Sequence, residues 1–550
     1  MDVVLVGLPG SGKSVVGRRL AHRHDASFID IDERIESAAG RTIPEIFGDE
    51  GEAAFRTRER AAIADLGPAD TARAIRRVVA TGGGAVVDPR NRWALYRGRR
   101  SVWLDGRPEV LAQRLRRSPN VRPLIVGRDP IGAVRDLADR RARFYAAASI
   151  RINGVPEVSG VLQTLRTRLA EPPALGTTLL VADTKLGRLR IGEGNAVAGV
   201  DAALRRIEAR RAIVVSEPGA WTAAGETIVD GLVAAGWPVE RVMLPTGEDA
   251  KRVSAVEDGA RELARLRVER GEPLVVVGGG ALGDAAGFLA GTYLRGIPYI
   301  QVPTTLVAQI DSAIGGKTGV DLPEGKNLLG VFHQPAAIVV DVAFLRTLPE
   351  RQRRAALGEA VKMAALGDER LFELLEQDGP AIARGEPATF ESGVVAELVE
   401  RAAWAKVEVV SADEREAGAA GGRILLNLGH SLGHACEAAA GYRDLLHGEA
   451  VAHGLRAACR IGVEVGVTPV ERAARIEALL DTLELGAKPL PYSLETVLDH
   501  LATDKKHTAG RLRWVLPTAT GAEVRADIGD DVVRRAASGL LAAGAREARS

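Results

Sequence analysis

A phosphate-binding loop near the N-terminus is the first group of residues in this sequence that could carry chemistry. The segment GLPGSGKS, from Gly7 to Ser14, matches the pattern GxxxxGK[ST] between an apolar run and a helix-like stretch. Glycines let backbone N–H groups wrap phosphates, while the lysine reaches the terminal phosphates and the final hydroxyl can hold Mg²⁺. The pattern predicts a nucleotide site built from Gly10, Ser11, Gly12, Lys13 and Ser14.

Histidines in the last third of the chain form the second group. Four of the nine histidines fall between His430 and His453. His430 and His434 are four residues apart, so they share one face if this segment is helical. Imidazoles are common ligands of divalent metals, and the spacing alone allows both histidines to be ligands.

The hydrophobic pattern indicates which elements position these groups. Up to about Leu169, short apolar runs alternate with amphipathic stretches, which predicts a parallel α/β sheet. The Pro172-Pro173 pair then cannot continue a helix. A second strand-rich α/β region follows, and from about Leu348 the Ala/Leu/Glu/Arg-rich sequence predicts a mostly helical subdomain. The expected division is 1–169, a linker at 170–177, 178–345 and 346–550.

Composition narrows the class of protein. At 550 residues the chain is too long for a single core, and a net charge of +1 provides no global field for nucleic acid or membranes. Cys436 and Cys459 form neither a disulfide framework nor a CxxC motif. Neither a signal peptide nor a membrane-spanning apolar run is recognisable. We expect a cytoplasmic protein of two or three domains, with no nucleic-acid or membrane partner.

Five further segments in the first domain point to the acceptor of the phosphoryl group. They are SFIDIDERIE, FGDEGEAAFRTRE, ATGGGAVV, NVRPLI and RRARFY. With the P-loop, and in this order, they resemble shikimate kinase, a P-loop fold that phosphorylates shikimate with ATP and Mg²⁺. Arginine forks suit the carboxylate of such a substrate, and a carboxylate suits its hydroxyls.

The resemblance implies a role for particular residues. Asp30 lies near Mg²⁺, and Asp32 accepts a hydrogen bond from the attacking hydroxyl. Arg122 sits on a closing lid and meets the transferring phosphate, while Arg116 or Arg117 flanks the adenine. The remaining shikimate contacts are Arg56, Arg141 and the backbone of Gly82, Gly83 and Gly84.

The rest of the chain, from about Thr178 almost to its end, carries a longer series of motifs. They include GGGALGDAAGFLAGTYLRG, QVPTTLVAQIDSAIGGKTGVDLPEGKN, LGEAVKMA, LNLGHSLGHACEA, LHGEAV and DKKH. Together these resemble 3-dehydroquinate synthase, which converts the keto-sugar acid phosphate DAHP into 3-dehydroquinate. That resemblance implies NAD⁺, a divalent metal (usually Zn²⁺, or Co²⁺) and a homodimer. It assigns the metal to Glu359, His430 and His447, and leaves His434 as a catalytic acid/base or a phosphate contact.

The same resemblance identifies the cofactor and substrate residues. GGGALGD, from Gly278 to Asp284, is not a GxGxxG fingerprint and is a weak dinucleotide signal by itself. The implied NAD⁺ contacts are Glu248, Lys251, Gly279, Gly280, Asp284, Thr304, Thr305 and Lys326. The implied substrate and catalytic residues are Arg295, Asp311, Lys317, Asn327, Lys362, Lys406, Arg423, Asn427, His434 and one or both of Lys505 and Lys506.

Lysine usage supports these assignments. The chain has only ten lysines, and all except Lys185 and Lys488 belong to the two site patterns. A compact ammonium on a flexible stem is not replaceable by a planar guanidinium where geometry is tight. Two departures from the synthase pattern are a longer loop between Lys406 and Arg423, and Asp321 where asparagine is common.

Three alternatives stay open. The first domain could be a gluconate- or nucleotide-type kinase, although Asp30, Asp32 and the Gly82–Gly84 segment favour shikimate. The second half could be another sugar-phosphate cyclase or an iron-type alcohol dehydrogenase, although its basic lining favours a phosphorylated acid. One half could also be degenerate, against which the intact P-loop and the Glu359, His430 and His447 set argue.

Overall fold

The computed structural model describes residues 1–117, 129–154, 157–173, 175–323, 325–416, 421–442, 444–502, 507–508 and 511–542. The chain divides into two compact units. Unit 1 comprises Met1–Asp183 with Arg188–Gly199, and unit 2 comprises Thr184–Gly187 with Val200–Ser550. Unit 1 contains the phosphate-binding loop, and unit 2 contains the histidine group.

The elements of regular structure are as follows. The helices are α1 Lys13–Arg23, α2 Ile31–Ala39, α3 Ile43–Ala64, α4 Pro89–Tyr96, α5 Pro108–Arg117, α6 Pro130–Tyr145, α7 Val158–Ala170, α8 Ala196–Arg206, α9 Pro218–Ala220, α10 Glu226–Ala234, α11 Val253–Arg265, α12 Gly280–Thr292, α13 Glu350–Ala365, α14 Glu369–Arg384, α15 Pro387–Glu391, α16 Val394–Ala412, α17 His430–Ala439, α18 His447–Glu464, α19 Val470–Thr482, α20 Leu494–Ala502 and α21 Asp530–Ser538. The strands are β1 Asp2–Val6, β2 Ser27–Asp30, β3 Arg77–Ala80, β4 Arg100–Asp105, β5 Ile150–Asn153, β6 Thr177–Thr184, β7 Gly187–Glu193, β8 Ala212–Ser216, β9 Val239–Met243, β10 Leu274–Gly278, β11 Tyr299–Pro303, β12 Lys317–Leu322, β13 Gly325–Phe332, β14 Ala337–Asp341, β15 His507–Thr508, β16 Arg511–Leu512, β17 Trp514–Pro517 and β18 Ala522–Arg525. Short 3-10 or π turns occupy Ala85–Val87, Trp221–Gly225, Gly247–Lys251, Tyr293–Arg295, Ala308–Ser312, Val342–Arg346 and Gly422–Asn427.

Unit 1 is built on a parallel sheet in the order β2-β3-β1-β4-β5. Strand β1, read as DVVLV, is buried at every position, as expected for a central strand covered by helices on both faces. The P-loop leaves the carboxyl end of β1 and enters α1. Asp30 ends β2, and the glycines from Gly82 to Gly84 follow β3, so all three segments meet at one edge of the sheet.

Unit 2 also contains parallel strands, which run in the order β14-β11-β10-β8-β9. Strands β10 and β11 are fully buried, and Gly278 pairs in register with Pro303. The glycines that open α12 therefore lie beside Thr304 and Thr305 at the same sheet edge. The parallel α/β architecture predicted for both halves of the chain is confirmed.

Helices dominate the chain from Glu350 onward, in agreement with the sequence pattern. The structure adds two short antiparallel strand pairs there that the pattern did not indicate, β15 with β16 and β17 with β18. The four residues of β17, WVLP, are all buried. A segment this short does not form a stable helix by itself, and pairing as a strand satisfies its backbone hydrogen bonds. Among the residues that the structure describes, no helix is long and apolar enough to cross a bilayer.

Candidate active sites

The P-loop of unit 1 is held in a phosphate-ready shape by its own side chains. The Lys13 ammonium is 8% exposed and donates to the carbonyl oxygens of Gly7, at 2.9 Å, and Leu8, at 3.0 Å. Gly10 and Gly12 have φ values of 81° and 88°, a left-handed conformation that favours glycine. The loop borders a cavity of about 640 Å³ whose lining includes Ser11, Ser14, Arg19, Asp30, Asp32, Thr81, Gly83, Arg114 and Glu157.

A carboxylate faces the helix end of this loop. The Ser14 hydroxyl donates to Asp30 Oδ2 at 2.6 Å. The other oxygen, Asp30 Oδ1, accepts from the backbone N–H of Asp32 at 3.1 Å and so caps α2. A hydroxyl and a carboxylate next to a phosphate cradle are the protein ligands that Mg²⁺ uses in P-loop enzymes.

The segment Gly82–Gly84 passes close to three charged side chains. A Cβ placed on Gly82 would lie 2.7 Å from Asp32 Oδ1, and one on Gly84 would lie 2.7 Å from Arg56 Nη1. Arg141 Nη1 donates to the Gly83 carbonyl oxygen at 2.9 Å. The absence of side chains here lets a carboxylate and two guanidinium groups surround one stretch of backbone.

Arg56 is itself fixed by a buried acid. Its Nη1 donates to Glu59 Oε2 at 2.7 Å, and the Glu59 side chain is 1% exposed. Burial raises the pKa of the Glu59 carboxyl above its ordinary value, although the Arg56 charge opposes the shift. The FRTRE motif contains both residues, three apart on α3, so the pair was available to sequence inspection.

Three helices of unit 2 bring a carboxylate and two imidazoles together. Glu359 on α13 is 0% exposed. Its Oε1 lies 3.4 Å from His430 Nε2 and 3.1 Å from His447 Nε2. Ligand atoms of a tetrahedral zinc site are about 2.0–2.2 Å from the metal and therefore about 3.3–3.6 Å apart. The His430–Glu359 distance of 3.4 Å lies in that range, and the His447–Glu359 distance of 3.1 Å is slightly shorter.

His434 belongs to the same cluster. It lies one turn after His430 on α17, and the ring centroids of His434 and His447 are 5.8 Å apart. Ligand atoms of His430, His434 and His447 all lie within 4.8 Å of one another. The geometry thus keeps His434 beside the other two imidazoles, either as a further ligand or as an acid/base group.

Close packing of α13, α17 and α18 brings the residues of the histidine cluster together. A Cβ on Gly448 would lie 1.8 Å from the Ala355 carbonyl oxygen, and one on Gly454 would lie 1.7 Å from the Gly429 carbonyl oxygen. Only glycine permits α18 to approach α13 and the start of α17 so closely. Since His430 and His447 open α17 and α18, this approach determines the separation of their rings.

Alternating buried charges extend from the histidine cluster. The Lys362 ammonium, 1% exposed, forms an ion pair with Glu359 and lies 3.5 Å from Asp311 Oδ1. Lys406 Nζ is 2.8 Å from the same Asp311 oxygen. Burial lowers the pKa of Lys406, whereas the two lysines outweigh burial and lower the pKa of Asp311.

The carboxyl edge of the unit 2 sheet supplies a second polar region. Gly279 directly follows β10 and caps the N-terminus of α12. Lys251 Nζ is 2.8 Å from Asp284 Oδ2 and also donates to the Asn327 side-chain oxygen. Burial raises the pKa of the Asp284 carboxyl, while the adjacent Lys251 ammonium opposes that shift. Asp321, which stands where asparagine is common in the synthase pattern, positions Asn327. Its Oδ1 accepts a hydrogen bond from the backbone N–H of Asn327 at 2.7 Å.

Further basic residues of unit 2 already contact acids or carbonyl groups. Lys317 Nζ is 2.6 Å from Glu416 Oε2, and Asn427 Nδ2 donates to Glu416 Oε1 at 3.0 Å. Arg423 Nη1 donates to the carbonyl oxygens of Gly315 and Glu414. Glu416 thus lies in the longer loop between Lys406 and Arg423 and gives Lys317 an anionic partner.

Comparison with known proteins identifies both halves. Family models of shikimate kinase, and of the N-terminal and C-terminal parts of 3-dehydroquinate synthase, match residues 9–166, 241–355 and 356–507. The 3-dehydroquinate synthase of Acaryochloris marina (strain MBIC 11017) is 42% identical over 325 residues, which are 59% of this chain and 85% of that protein. A solved shikimate kinase from Acinetobacter baumannii, in complex with shikimate, is 37% identical and covers 30% of this chain and 90% of its own (TM-score 0.28). The chain belongs to both families.

The synthase half also resembles another solved enzyme. The 2-epi-5-epi-valiolone synthase ValA from Streptomyces hygroscopicus subsp. jinggangensis 5008, solved with NAD⁺ and Zn²⁺, is 29% identical with a TM-score of 0.57. It covers 64% of this chain and 96% of its own. The higher identity to 3-dehydroquinate synthase favours that family over the rival cyclase reading. The chain therefore combines a shikimate kinase with a 3-dehydroquinate synthase.

Some residues expected in the two sites stand elsewhere or outside the described residues. Arg114 borders the kinase cavity, whereas Arg116 and Arg117 are not among its lining residues. Arg295 is exposed and lies beyond the C-terminal end of α12, a helix about 20 Å long whose other end carries Gly280. Arg122, Lys505 and Lys506 fall outside the described residues. The sequence reasoning did not single out Arg114, Glu59 or Glu437.

The glycine contact between α17 and α18 gives a testable prediction. Gly454→Ala forces a methyl group against the Gly429 carbonyl oxygen and separates the two helices. Such overpacking typically costs about 1–3 kcal/mol, so the free energy of unfolding of the synthase unit should fall within that range. Denaturant titration measures the change.

Gly219→Ala is the matched control, because nothing lies within 4 Å of a Cβ at this exposed helical position. It should leave the free energy of unfolding within about 0.5 kcal/mol of the unmodified chain. Equal stability of the two variants would contradict the assigned role of the Gly429–Gly454 contact.

Proposed function

We propose that this chain is a bifunctional enzyme of aromatic biosynthesis, with the residues described above as its two active sites. The kinase unit phosphorylates shikimate to shikimate 3-phosphate with ATP and Mg²⁺. The synthase unit converts DAHP to 3-dehydroquinate with release of phosphate, using NAD⁺ and a divalent metal, Zn²⁺ or Co²⁺. The observation that carries the proposal is the presence of two separate polar clusters whose chemistry matches these two families.

In the kinase unit, the proposed roles follow from the contacts. Ser14 and Asp30, joined by a 2.6 Å hydrogen bond, hold Mg²⁺ beside the P-loop, and Lys13 binds the terminal phosphates. Asp32 accepts the hydrogen bond of the attacking hydroxyl. Arg56 and Arg141 bind the substrate carboxylate and orient it against Gly82–Gly84. Arg56 Nη1 donates to Glu59, and its Nε and Nη2 donate to Glu52, so two carboxylates fix the orientation of this guanidinium group.

In the synthase unit, Glu359, His430 and His447 are the proposed metal ligands. When bound, a divalent metal supplies Lewis-acid polarisation of substrate hydroxyls, and NAD⁺ supplies reversible hydride transfer. The protein's own task is to bind and orient the substrate and to move protons. His434, beside the metal ligands, is placed to act as acid or base or to bind the phosphate.

The basic lining suits a substrate with a carboxylate, a phosphate and several hydroxyls. Lys362 and Lys406 each contact Asp311, so this carboxylate orients two ammonium groups that lie close to Glu359. Lys317 and Arg423 extend the lining along β12 and the Gly422–Asn427 turn. Glu248, Lys251, Asp284, Thr304 and Thr305, with the glycines that open α12, are the proposed NAD⁺ contacts.

The domain division is also a proposal. We assign 1–169 to the kinase, 170–177 to a linker, 178–345 to the NAD⁺-binding subdomain and 346–550 to the helical metal- and substrate-binding subdomain. The shikimate kinase match ends at residue 166, close to the first boundary, and the two synthase matches cover residues 241–355 and 356–507. We further propose that the protein works in the cytoplasm.

Single substitutions should separate the two activities. Lys13→Ala removes the ammonium that binds the terminal phosphates, so shikimate phosphorylation should fall by at least about 10³-fold through lost charge stabilisation. His430→Ala removes a metal ligand and should abolish phosphate release from DAHP. Coupled assays for ADP and for inorganic phosphate measure the two rates on the same preparations.

Each variant serves as the control for the other, because each should retain the activity of the untouched unit. Loss of both activities from either substitution would contradict the assignment of independent sites. Absence of one activity from the folded, metal-loaded unmodified chain would refute that half of the proposal.

We also propose a homodimer formed through the synthase unit. Arg295 is an expected substrate residue, yet it is exposed and lies about one α12 length from the glycine loop. A second copy of the chain could bring this guanidinium to the substrate site, because an isologous two-fold interface places the same surface residues of each copy against the other copy.

Mixing two inactive variants tests the dimer. Arg295→Ala and His430→Ala should each lose synthase activity. If Arg295 acts across the interface, equal mixing after subunit exchange should restore about a quarter of the unmodified activity, since half the dimers then hold one complete site. No recovery in a mixture shown to exchange subunits would mean that Arg295 acts within its own chain or not at all.

A further inference from the structure

A carboxylate to which no role has been assigned lies behind the histidine cluster of the synthase unit. Glu437 is on α17, two turns after His430, and its side chain is 8% exposed. Its Oε2 lies 3.0 Å from His447 Nδ1. On the opposite side of the same ring, His447 Nε2 lies 3.1 Å from Glu359 Oε1.

We infer that Glu437 is a positioning residue that orients the His447 imidazole toward the metal. A carboxylate acceptor keeps a proton on Nδ1, so that Nε2, which lies beside Glu359 Oε1, is the nitrogen whose lone pair would bind the metal. The inference deepens the proposed function of the synthase unit and rests on it.

The second imidazole of the cluster has the same arrangement with a different acceptor. His430 Nδ1 lies 3.1 Å from the Leu428 carbonyl oxygen, and its Nε2 faces Glu359. Both rings are thus held at Nδ1 and present Nε2 to the cluster. A charged acceptor increases the basicity of its histidine more than a neutral carbonyl does, so Glu437 should affect the metal more strongly than the Leu428 contact.

Lys326 holds the other oxygen of Glu437 in place. Its Nζ donates to Glu437 Oε1 at 3.0 Å and lies 4.6 Å from the centre of the Tyr442 ring. Lys326 belongs to the hairpin strand β13, next to Asn327, which in turn accepts from Lys251. Glu437 therefore joins the hairpin that carries proposed cofactor residues to one of the proposed metal ligands.

Metal affinity is the readout that distinguishes positioning from a general structural role. The full-length chain is stripped of metal and titrated with Zn²⁺ by chelator competition and with Co²⁺ by visible absorption. Glu437→Gln keeps the shape but removes the charge, and Glu437→Asp withdraws the carboxylate by one methylene. Each should weaken metal binding about 10- to 100-fold, the usual effect of removing an outer partner of a ligating histidine.

Glu397→Gln is the matched control. Glu397 is also a buried glutamate of this unit, 2% exposed and paired with Arg370 and Arg401 on α14 and α16. Its substitution removes a comparable buried charge without touching the histidine cluster, so metal affinity should match that of the unmodified chain. His447→Ala marks the effect of losing the ligand outright.

Wild-type metal affinity in folded Glu437→Gln and Glu437→Asp proteins would overturn the inference. Failure of both variants to fold without metal, alongside a folded Glu397→Gln protein, would assign Glu437 to the fold and overturn it as well. If the unmodified chain binds no stoichiometric metal, the metal-dependent proposal itself fails, and this inference falls with it.

Discussion

The synthase unit depends on keeping a carboxylate charged where water does not reach. Glu359 is completely buried, and an isolated charge in such a place would be strongly destabilising. Lys362, one turn along α13, provides the nearest counter-charge, and Asp311 and Lys406 continue the alternation of sign. Removing one member would leave its neighbour as an uncompensated buried charge, so these groups constrain one another.

This constraint explains why so many elements converge on one point. Glu359 and Lys362 come from α13, Lys406 from α16, and Asp311 from the short π turn at Ala308–Ser312. The histidines come from the first residues of α17 and α18. Charge compensation keeps the groups ionised and oriented before any ligand binds, which reduces the reorganisation that binding requires.

The kinase unit uses the same principle at a more exposed site. The Lys13 ammonium is capped by loop carbonyl oxygens, Ser14 is bonded to Asp30, and Arg56 is paired with the buried Glu59. Each group that is proposed to meet a phosphate, Mg²⁺ or a carboxylate already has a partner that fixes its position. The six described lysines of the two site patterns follow this rule, since each contacts a carboxylate or a carbonyl oxygen.

The families and the parallel α/β architecture could be read from the sequence, because motifs and hydrophobic periods occupy short stretches of chain. The same motifs predicted most of the proposed site residues. The P-loop, the Asp30–Asp32 pair and the HxxxH spacing are of this kind. Tertiary structure decided what depends on helix faces and crossings. Arg114 and Arg116 are two residues apart and so point to nearly opposite sides of α5, and only the fold shows which side borders the cavity. Glu437 and Lys326 are 111 residues apart, and they meet because the β12–β13 hairpin reaches α17. No local pattern encodes such a pairing, since it is set by backbone contacts between elements distant in sequence.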